Sequence, residues 1–175
     1  LKKHELKIKQ NKKITHYSYG RYGSSTTIEL ENILKELENA YHVFLTGTGF
    51  GGIALALMSL CRPGDEILVS DNVYGPTKEI SEKLLKEFNI NALFYNPDSF
   101  EDLRRKVTKK TKMILVENPG SITFEFQDLS KIVSLAKKNN ILTLLDNTWG
   151  TPLYLKPLDL GFDMSFSSAT KYFSG

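Results

Sequence analysis

The chain holds one cysteine, Cys61, in 175 residues, so it closes no disulfide on itself. A single thiol inside an apolar run suits a reducing compartment, and a cytoplasmic location is expected. Its three histidines, His4, His16 and His42, show no ligand spacing; His42 reads as structural, and no metal site is expected. Its longest apolar stretch, residues 50–61, is too short to span a bilayer. Nothing at the amino end has the charged, apolar and cleavable parts of a secretory leader, and no membrane partner is expected. The net charge of +3, from 23 Lys and Arg against 20 Asp and Glu, is too small and too scattered to argue for nucleic acid. Pairs such as Lys109-Lys110 and Lys137-Lys138 read as solvated helix faces. There are no internal repeats and no low-complexity tracts. The basic start, Lys2 to Lys13, reads as a frayed or partner-docked terminus, and Leu1 in place of Met suggests a cut or processed end.

What is present is ordinary for a globular domain, 41% hydrophobic and 25% charged, with enough apolar side chain for a core. Beyond Gly23, helical periods alternate with short apolar runs. Thr26-x-x-Glu29 reads as a capping box before an apolar face of Ile28, Leu30, Ile33, Leu34 and Leu37. The pattern predicts strands over 43–45, 66–70, 92–95, 112–117, 141–145 and 164–167. It predicts helices over 49–60 (nearly all apolar, and so buried), 76–88, 100–107 and 128–139. Such alternation predicts an α/β fold: a mainly parallel sheet with helices on both faces. Ligands of such sheets collect at the carboxyl ends of the strands, here residues 46–49, 71–74, 117–121 and 146–149.

Three segments carry chemistry. Thr46-Gly47-Thr48-Gly49-Phe50-Gly51-Gly52 opens a helix, where glycines admit an anion and unpaired N–H groups bind it. It suits a phosphate without saying which. Gly47-x-Gly49-x-x-Gly52 also fits a dinucleotide fingerprint, with Asp71 as the ribose-binding acid, and mere tight strand–helix packing is the lesser alternative. Asp146 ends an apolar run, and a buried carboxylate needs a partner: a magnesium ion, a ribose or a pyridinium nitrogen. Ser168-x-Thr170-Lys171 sets two hydroxyls two residues apart, on one side of an extended segment and able to reach one phosphate, beside an amine. Together, Asp146 and Lys171 match what pyridoxal phosphate requires: an amine to bind its aldehyde and an anion to keep its ring nitrogen protonated. Tyr74 is placed to stack on a flat cofactor, or to pack in a turn. Arg21, within Tyr19-Gly20-Arg21-Tyr22-Gly23, suits a phosphate, and a neighbouring subunit is a natural source for it; a plain surface turn is the alternative.

In order and spacing, Tyr19-Gly20-Arg21, Thr48-Gly49-Phe50, Asp71-Asn72-Val73-Tyr74, Asp146-Asn147-Thr148-Trp149 and Ser168-Ala169-Thr170-Lys171-Tyr172 resemble the Cys/Met-metabolism family of pyridoxal-phosphate enzymes. The resemblance runs from about residue 19 to 175. It implies the large domain of the aspartate-aminotransferase-like fold (fold type I), incomplete here. Residues 1–23 would be an arm contacting a neighbouring subunit, and 24–175 part of the cofactor-binding domain. It implies that Lys171 binds the cofactor covalently and later takes the substrate's α proton, that Asp146 pairs with the ring nitrogen, and that Tyr74 stacks on the ring. It implies that the N–H groups of Gly49 and Phe50, with Ser168 and Thr170, hold the phosphate, completed by Tyr19 and Arg21 of a second copy in a homo-oligomer. Glu117-Asn118-Pro119-Gly120-Ser121-Ile122-Thr123-Phe124-Glu125 is most similar to the cystathionine β-lyase branch. The implied reaction is β-elimination of cystathionine to homocysteine, pyruvate and ammonia, in trans-sulfuration and methionine biosynthesis. The family continues past the lysine into the arginine that binds the substrate carboxylate, so little activity is expected of this chain alone. A γ-acting enzyme, a non-catalytic remnant and a nicotinamide-binding module are the alternatives.

Overall fold

Two apolar runs dominate the interior. Ile67, Leu68 and Val69 in one strand, and Met113, Ile114, Leu115 and Val116 in the next, are all at most 1% exposed. A strand covered on both faces has no solvent side to place polar residues on, so it reads as a continuous run. The computed structural model describes residues 20–174. Tyr19 and most of the expected arm lie outside the described residues.

Strands β1 (Glu66–Ser70), β2 (Asn91–Tyr95), β3 (Thr111–Glu117), β4 (Leu142–Asp146) and β5 (Met164–Phe166) form one sheet in the order β2-β1-β3-β4-β5, and every neighbouring pair is parallel. Successive side chains point to opposite faces, so the strands feed two cores. Ile67, Val69, Met113, Leu115 and Leu144 pack on one face, against Ile53 and Leu57 of α2 (Gly49–Leu60), Cys61 just past its end, and Ile80 and Leu85 of the helix after β1. Helix α3 starts as Gly75–Glu79, passes through a π-helical turn at Ile80–Leu84 and ends in Leu85–Glu87. Leu68, Ile114, Val116 and Leu145 pack on the other face, against Leu103 of α4 (Phe100–Lys106) and Leu129, Ile132, Val133 and Ala136 of α5 (Leu129–Asn139). The expected helices on both faces are therefore present.

Helix starts follow capping chemistry: the Ser99 and Asp128 side chains accept the N–H groups of Asp102 and Lys131, closing orphan donors at the first turns. The turns α6 (Thr151–Tyr154) and α7 (Pro157–Leu160) link β4 to β5. From β1 the chain steps outward to β2, then crosses to the opposite side of β1 for β3. The order reverses between β1 and β3, which opens a crevice at their carboxyl ends. No helix among the described residues is long and apolar enough to cross a membrane.

Four expectations need correcting. Residues 43–45 form no strand, because the segment finds no strand to pair with among the described residues, and Phe44 is 77% exposed. Helix α2 is only half buried: Ile53, Leu57 and Cys61, four apart, face the sheet, while Phe50 and Leu55 face outward. Helix α1 (Ser25–Glu38) is capped by Ser24 with Thr27, two residues before the expected box, and its Leu30 and Ile33 are exposed. Finally, Ser168 and Thr170 do not share one extended segment. Strand β5 ends at Phe166, and the Lys171 N–H donates to the Ser168 carbonyl at 3.1 Å, turning the chain between the two hydroxyls.

The sheet centre should carry most of the stability. Leu115→Ala is expected to cost about 2–5 kcal/mol through lost burial and a residual cavity. Leu55→Ala, on the open side of α2, should cost under about 0.5 kcal/mol. Urea unfolding of the two variants checks the contrast.

Candidate active site

Strand β4 ends in Asp146, which is 7% exposed. The two residues after it stitch β4 to β5. The Asn147 N–H donates to the Phe166 carbonyl at 2.7 Å, and its side-chain amide donates to the Leu155 carbonyl at 2.9 Å. The Thr148 hydroxyl accepts the Ser168 N–H at 2.9 Å. Ser168 in turn lies against α2: a Cβ built on Gly49 would sit 2.9 Å from the Ser168 Oγ, and one on Gly52 2.7 Å from the Phe166 ring. The glycines of this segment thus have a packing role, admitting the end of β5 against the start of α2.

The first turn of α2 leaves donors available. The Thr48 side chain accepts the Gly51 N–H and the Thr48 carbonyl accepts the Gly52 N–H, while the Gly49 and Phe50 N–H groups take no partner among the described residues. They open the helix at its electropositive end.

Across the sheet, β3 ends in Glu117, which is 6% exposed and stands opposite Asp146 in the β3–β4 register. Its Oε2 accepts the Tyr74 N–H at 2.7 Å. Burial, and then the Asp146 charge, push the Glu117 carboxyl up to about 7, against the opposing pull of the Tyr74 N–H and the Ser121 hydroxyl. Asp146 is also raised from its ordinary value by burial, with the Thr148 hydroxyl and N–H opposing. No cation among the described residues offsets it, so this carboxylate has an unmet demand for a positive partner.

Behind the crevice a polar network holds the loop after β3. The Tyr95 hydroxyl donates to Gln127 at 2.8 Å, the Gln127 amide donates to the Ser70 hydroxyl at 3.0 Å, and Ser70 donates to Asn72. The Asn72 carbonyl accepts the Ser121 N–H, and its amide faces Glu125. The loop begins with a cis Asn118–Pro119 bond and carries Ile122 at φ 68° and Phe124 at φ 61°, a conformation side-chain-bearing residues seldom adopt. The Phe124 ring meets Trp149 edge-on at 5.2 Å, and Trp149 meets Tyr172 at 6.1 Å, so aromatics link the rims after β3, β4 and β5.

Of the sequence-derived candidates, Gly49, Ser168 and Asp146 are drawn together through Thr148, and Tyr74 joins them through Glu117. Tyr74 itself is half exposed, as is Phe50. Thr170 and Lys171 lie exposed in the turn after Ser168, and among the described residues the Lys171 ammonium makes no ion pair. Arg21 is exposed in the Gly20–Tyr22 turn, and Tyr19 lies outside the described residues. Asp71 pairs with Lys78 on the surface. Glu117 and Thr148 received no role from the sequence. Glu117 carries the same signal as Asp146, an acid ending an apolar run; the Thr148–Ser168 bond spans 20 residues and follows only from the β4–β5 register.

The raised Glu117 carboxyl has a consequence for stability. Its folded value lies above the ordinary 4.5, so its contribution is complete below that pH and is lost as pH rises through about 7. Relative to Glu117→Gln, the unmodified chain should lose on the order of 3 kcal/mol between pH 4 and 8. Urea unfolding across that range measures it.

The family model described as Cys/Met metabolism PLP-dependent enzyme matches residues 1–175. A putative cystathionine beta-lyase of Saccharomyces cerevisiae is 41% identical over 157 residues, 90% of this chain and 46% of that protein. The crystal structure of a cystathionine gamma-lyase from Lactobacillus plantarum, complexed with L-serine, superposes with a TM-score of 0.88 at 31% identity, over 95% of this chain and 44% of that one. A putative O-acetylhomoserine (thiol)-lyase from Campylobacter jejuni, solved with a pyridoxyl-lysine-5'-monophosphate, superposes with a TM-score of 0.85 at 29% identity, over 92% and 40%. The chain therefore spans less than half the length of the relatives it matches. With its parallel sheet and this rim of acid, glycine turn and lysine, the chain belongs to the Cys/Met-metabolism family of pyridoxal-phosphate-dependent enzymes.

Proposed function

We propose that this chain forms the pyridoxal-phosphate site of a carbon–sulfur lyase that removes a thiol from the β carbon of cystathionine or a similar thioether amino acid. The observation that carries the cofactor assignment is the buried, cation-seeking Asp146, tied through Thr148 and Ser168 to a helix start with two unspent N–H groups. That is one anion site and one phosphate cradle on a single rigid rim.

The residues fit the group. When bound, pyridoxal phosphate supplies an aldehyde that joins an amine and a protonated ring that draws electrons from the neighbouring carbon. Asp146 holds the proton on the ring nitrogen, and burial strengthens that pairing. The Gly49 and Phe50 N–H groups would bind phosphate at the positive end of α2, with the Ser168 hydroxyl against Gly49 and the Thr170 hydroxyl brought from the turn that follows. Tyr74, half exposed at the mouth of the crevice, covers one face of the ring. Lys171 would supply the amine that holds the group, and the same side chain would take the proton from the substrate's α carbon. Its exposed position in the turn leaves it free to reach the crevice. Arg21 and Tyr19 serve the phosphate of a second copy, as befits an arginine displayed at an outer turn.

The β-acting assignment rests on the 117–125 loop and on likeness to a putative β-lyase. Likeness in fold to a γ-lyase supports the second reading, elimination from the γ carbon. The two differ in product. In any turnover of cystathionine, pyruvate supports the β reading and 2-oxobutyrate establishes the γ reading.

Borohydride treatment of the full chain with added pyridoxal phosphate should fix one label, mapped by mass spectrometry to Lys171. Lys171→Ala should abolish it, and an unchanged label on another lysine overturns the assignment. Asp146→Ala should weaken cofactor retention at least roughly tenfold, a loss of about 1.4 kcal/mol, read by equilibrium dialysis.

A further inference from the structure

We infer that Glu117 is a positioning residue of this site: by accepting the Tyr74 N–H it fixes where the Tyr74 ring lies over the crevice, and by standing opposite Asp146 it sets how much negative charge the two strand ends present. The inference deepens the cofactor reading above and rests on it. Four observations meet at this one side chain.

The first is topology. Glu117 closes β3, one wall of the crevice where the strand order reverses, and Tyr74 comes from the turn after β1, the other wall. The bond at 2.7 Å between them spans the crevice and ties its two lips. The second is economy of partners. Tyr74 is the first residue before α3, and its side chain forms no cap there; the turn's entry angle is held by its N–H on Glu117, with Val73 N–H on the Ser70 carbonyl. The Tyr74 carbonyl is held by α3, accepting the Thr77 and Lys78 N–H groups at 2.8 and 3.1 Å, so its N–H on Glu117 is the bond that ties this helix start to the β3 side of the crevice.

The third is register. Glu117 and Asp146 are paired residues on neighbouring parallel strands, whose backbones run about 4.8 Å apart. Both are buried. Two carboxylates so placed do not both ionise without a cation between them. The groups facing Glu117 are the Asp146 carboxylate from β4, the Tyr74 N–H from the β1 turn and the Ser121 hydroxyl from its own loop, of which Asp146 alone is charged. A neutral Glu117 leaves Asp146 as the one anion for the ring nitrogen and still offers an acceptor oxygen to Tyr74. The fourth is support from behind: the Glu117 carbonyl accepts the Gln127 amide at 3.2 Å, and Gln127 N–H donates to the Asn118 side chain at 2.7 Å. The strand end that carries the carboxyl is therefore itself immobilised, as a positioning group requires.

A glutamine at 117 keeps the acceptor and loses the charge. A methionine has similar length and keeps neither. The test compares the unmodified full chain, Glu117→Gln and Glu117→Met in two measurements. Amide hydrogen exchange at Tyr74, without cofactor, reads the tether. Titration with pyridoxal phosphate, followed by its visible absorption band, reads the site. In Glu117→Met, Tyr74 exchange should rise at least tenfold, cofactor affinity should fall at least tenfold and the band should shift. In Glu117→Gln, exchange and affinity should stay within threefold of the unmodified chain. Equal values in all three proteins overturn the inference. So does equal loss in both variants, which would make the charge, and not the acceptor, the operative property. Should Glu117→Met fail to fold, Glu117→Gln decides alone: protection retained with the band unchanged supports the tether, and protection lost overturns it. Borohydride labelling of Lys171 in the unmodified chain separates the two readings. Absence of that label removes the cofactor reading, while the exchange result still judges the tether.

Discussion

Two acids at the ends of adjacent parallel strands are the constraint around which this rim is organised. A parallel sheet offers no freedom to separate them: register puts Glu117 beside Asp146, and the helices on both faces keep water away. Burying both as anions would be costly, so the two environments differ. Glu117 receives a backbone N–H and holds its proton to about 7; Asp146 receives the Thr148 groups and is left open to a cation. The two acids therefore differ in what holds them: Glu117 takes a backbone N–H from across the crevice and Asp146 only the groups of Thr148, although their sequence surroundings look alike.

The rim is held by two sets of bonds, one on each side of these acids. On the β5 side, Asn147 extends the ladder to Phe166 and Thr148 catches the Ser168 N–H, so the strand end and the glycine turn of α2 move as one body. On the β1 side, the Tyr95–Gln127–Ser70–Asn72 chain fastens the loop after β3. That loop stores strain: Ile122 and Phe124 in left-handed conformations cost of order 1–3 kcal/mol each. The Phe124–Trp149 contact and the Thr123 hydroxyl bond to Glu125, at 2.7 Å, offset part of it. A loop kept in a costly shape, with Ile122 85% exposed at its tip, is being presented outward over the crevice.

The strands were legible to within a residue or two because apolar runs such as 66–70 and 112–117 have few other uses in a chain of this composition. Asp146 was legible for the same reason. Glu117 carried an equal signal but was read only as part of a segment marking a branch of the family. Its role depends on the Tyr74 N–H, 43 residues away, which no local pattern displays. One extended segment across Ser168 and Thr170 fails because strand alternation stops with β5, where a turn takes over. The apolar content of residues 49–60 suggested a buried helix, yet only a four-residue spacing faces the sheet. Hydrophobicity counts residues, whereas burial depends on which neighbour is present to cover them.

The glycine segment shows how context decides a motif. Gly47-x-Gly49-x-x-Gly52 satisfies the dinucleotide spacing, but that fingerprint draws its meaning from a sheet strand before the turn and a free acid at the end of the next strand. Here residues 43–45 pair with no strand among the described residues, and Asp71 is engaged with Lys78. What faces the turn is instead the end of β5, at van der Waals distance from Gly49 and Gly52, carrying Ser168 and, three residues on, the lysine. A helix start attracts an anion whichever fold supplies it. An acid ending β4 and a lysine just past β5 stand with the turn on one rim, which is the set of groups an aldehyde cofactor with a phosphate would use and a dinucleotide would not.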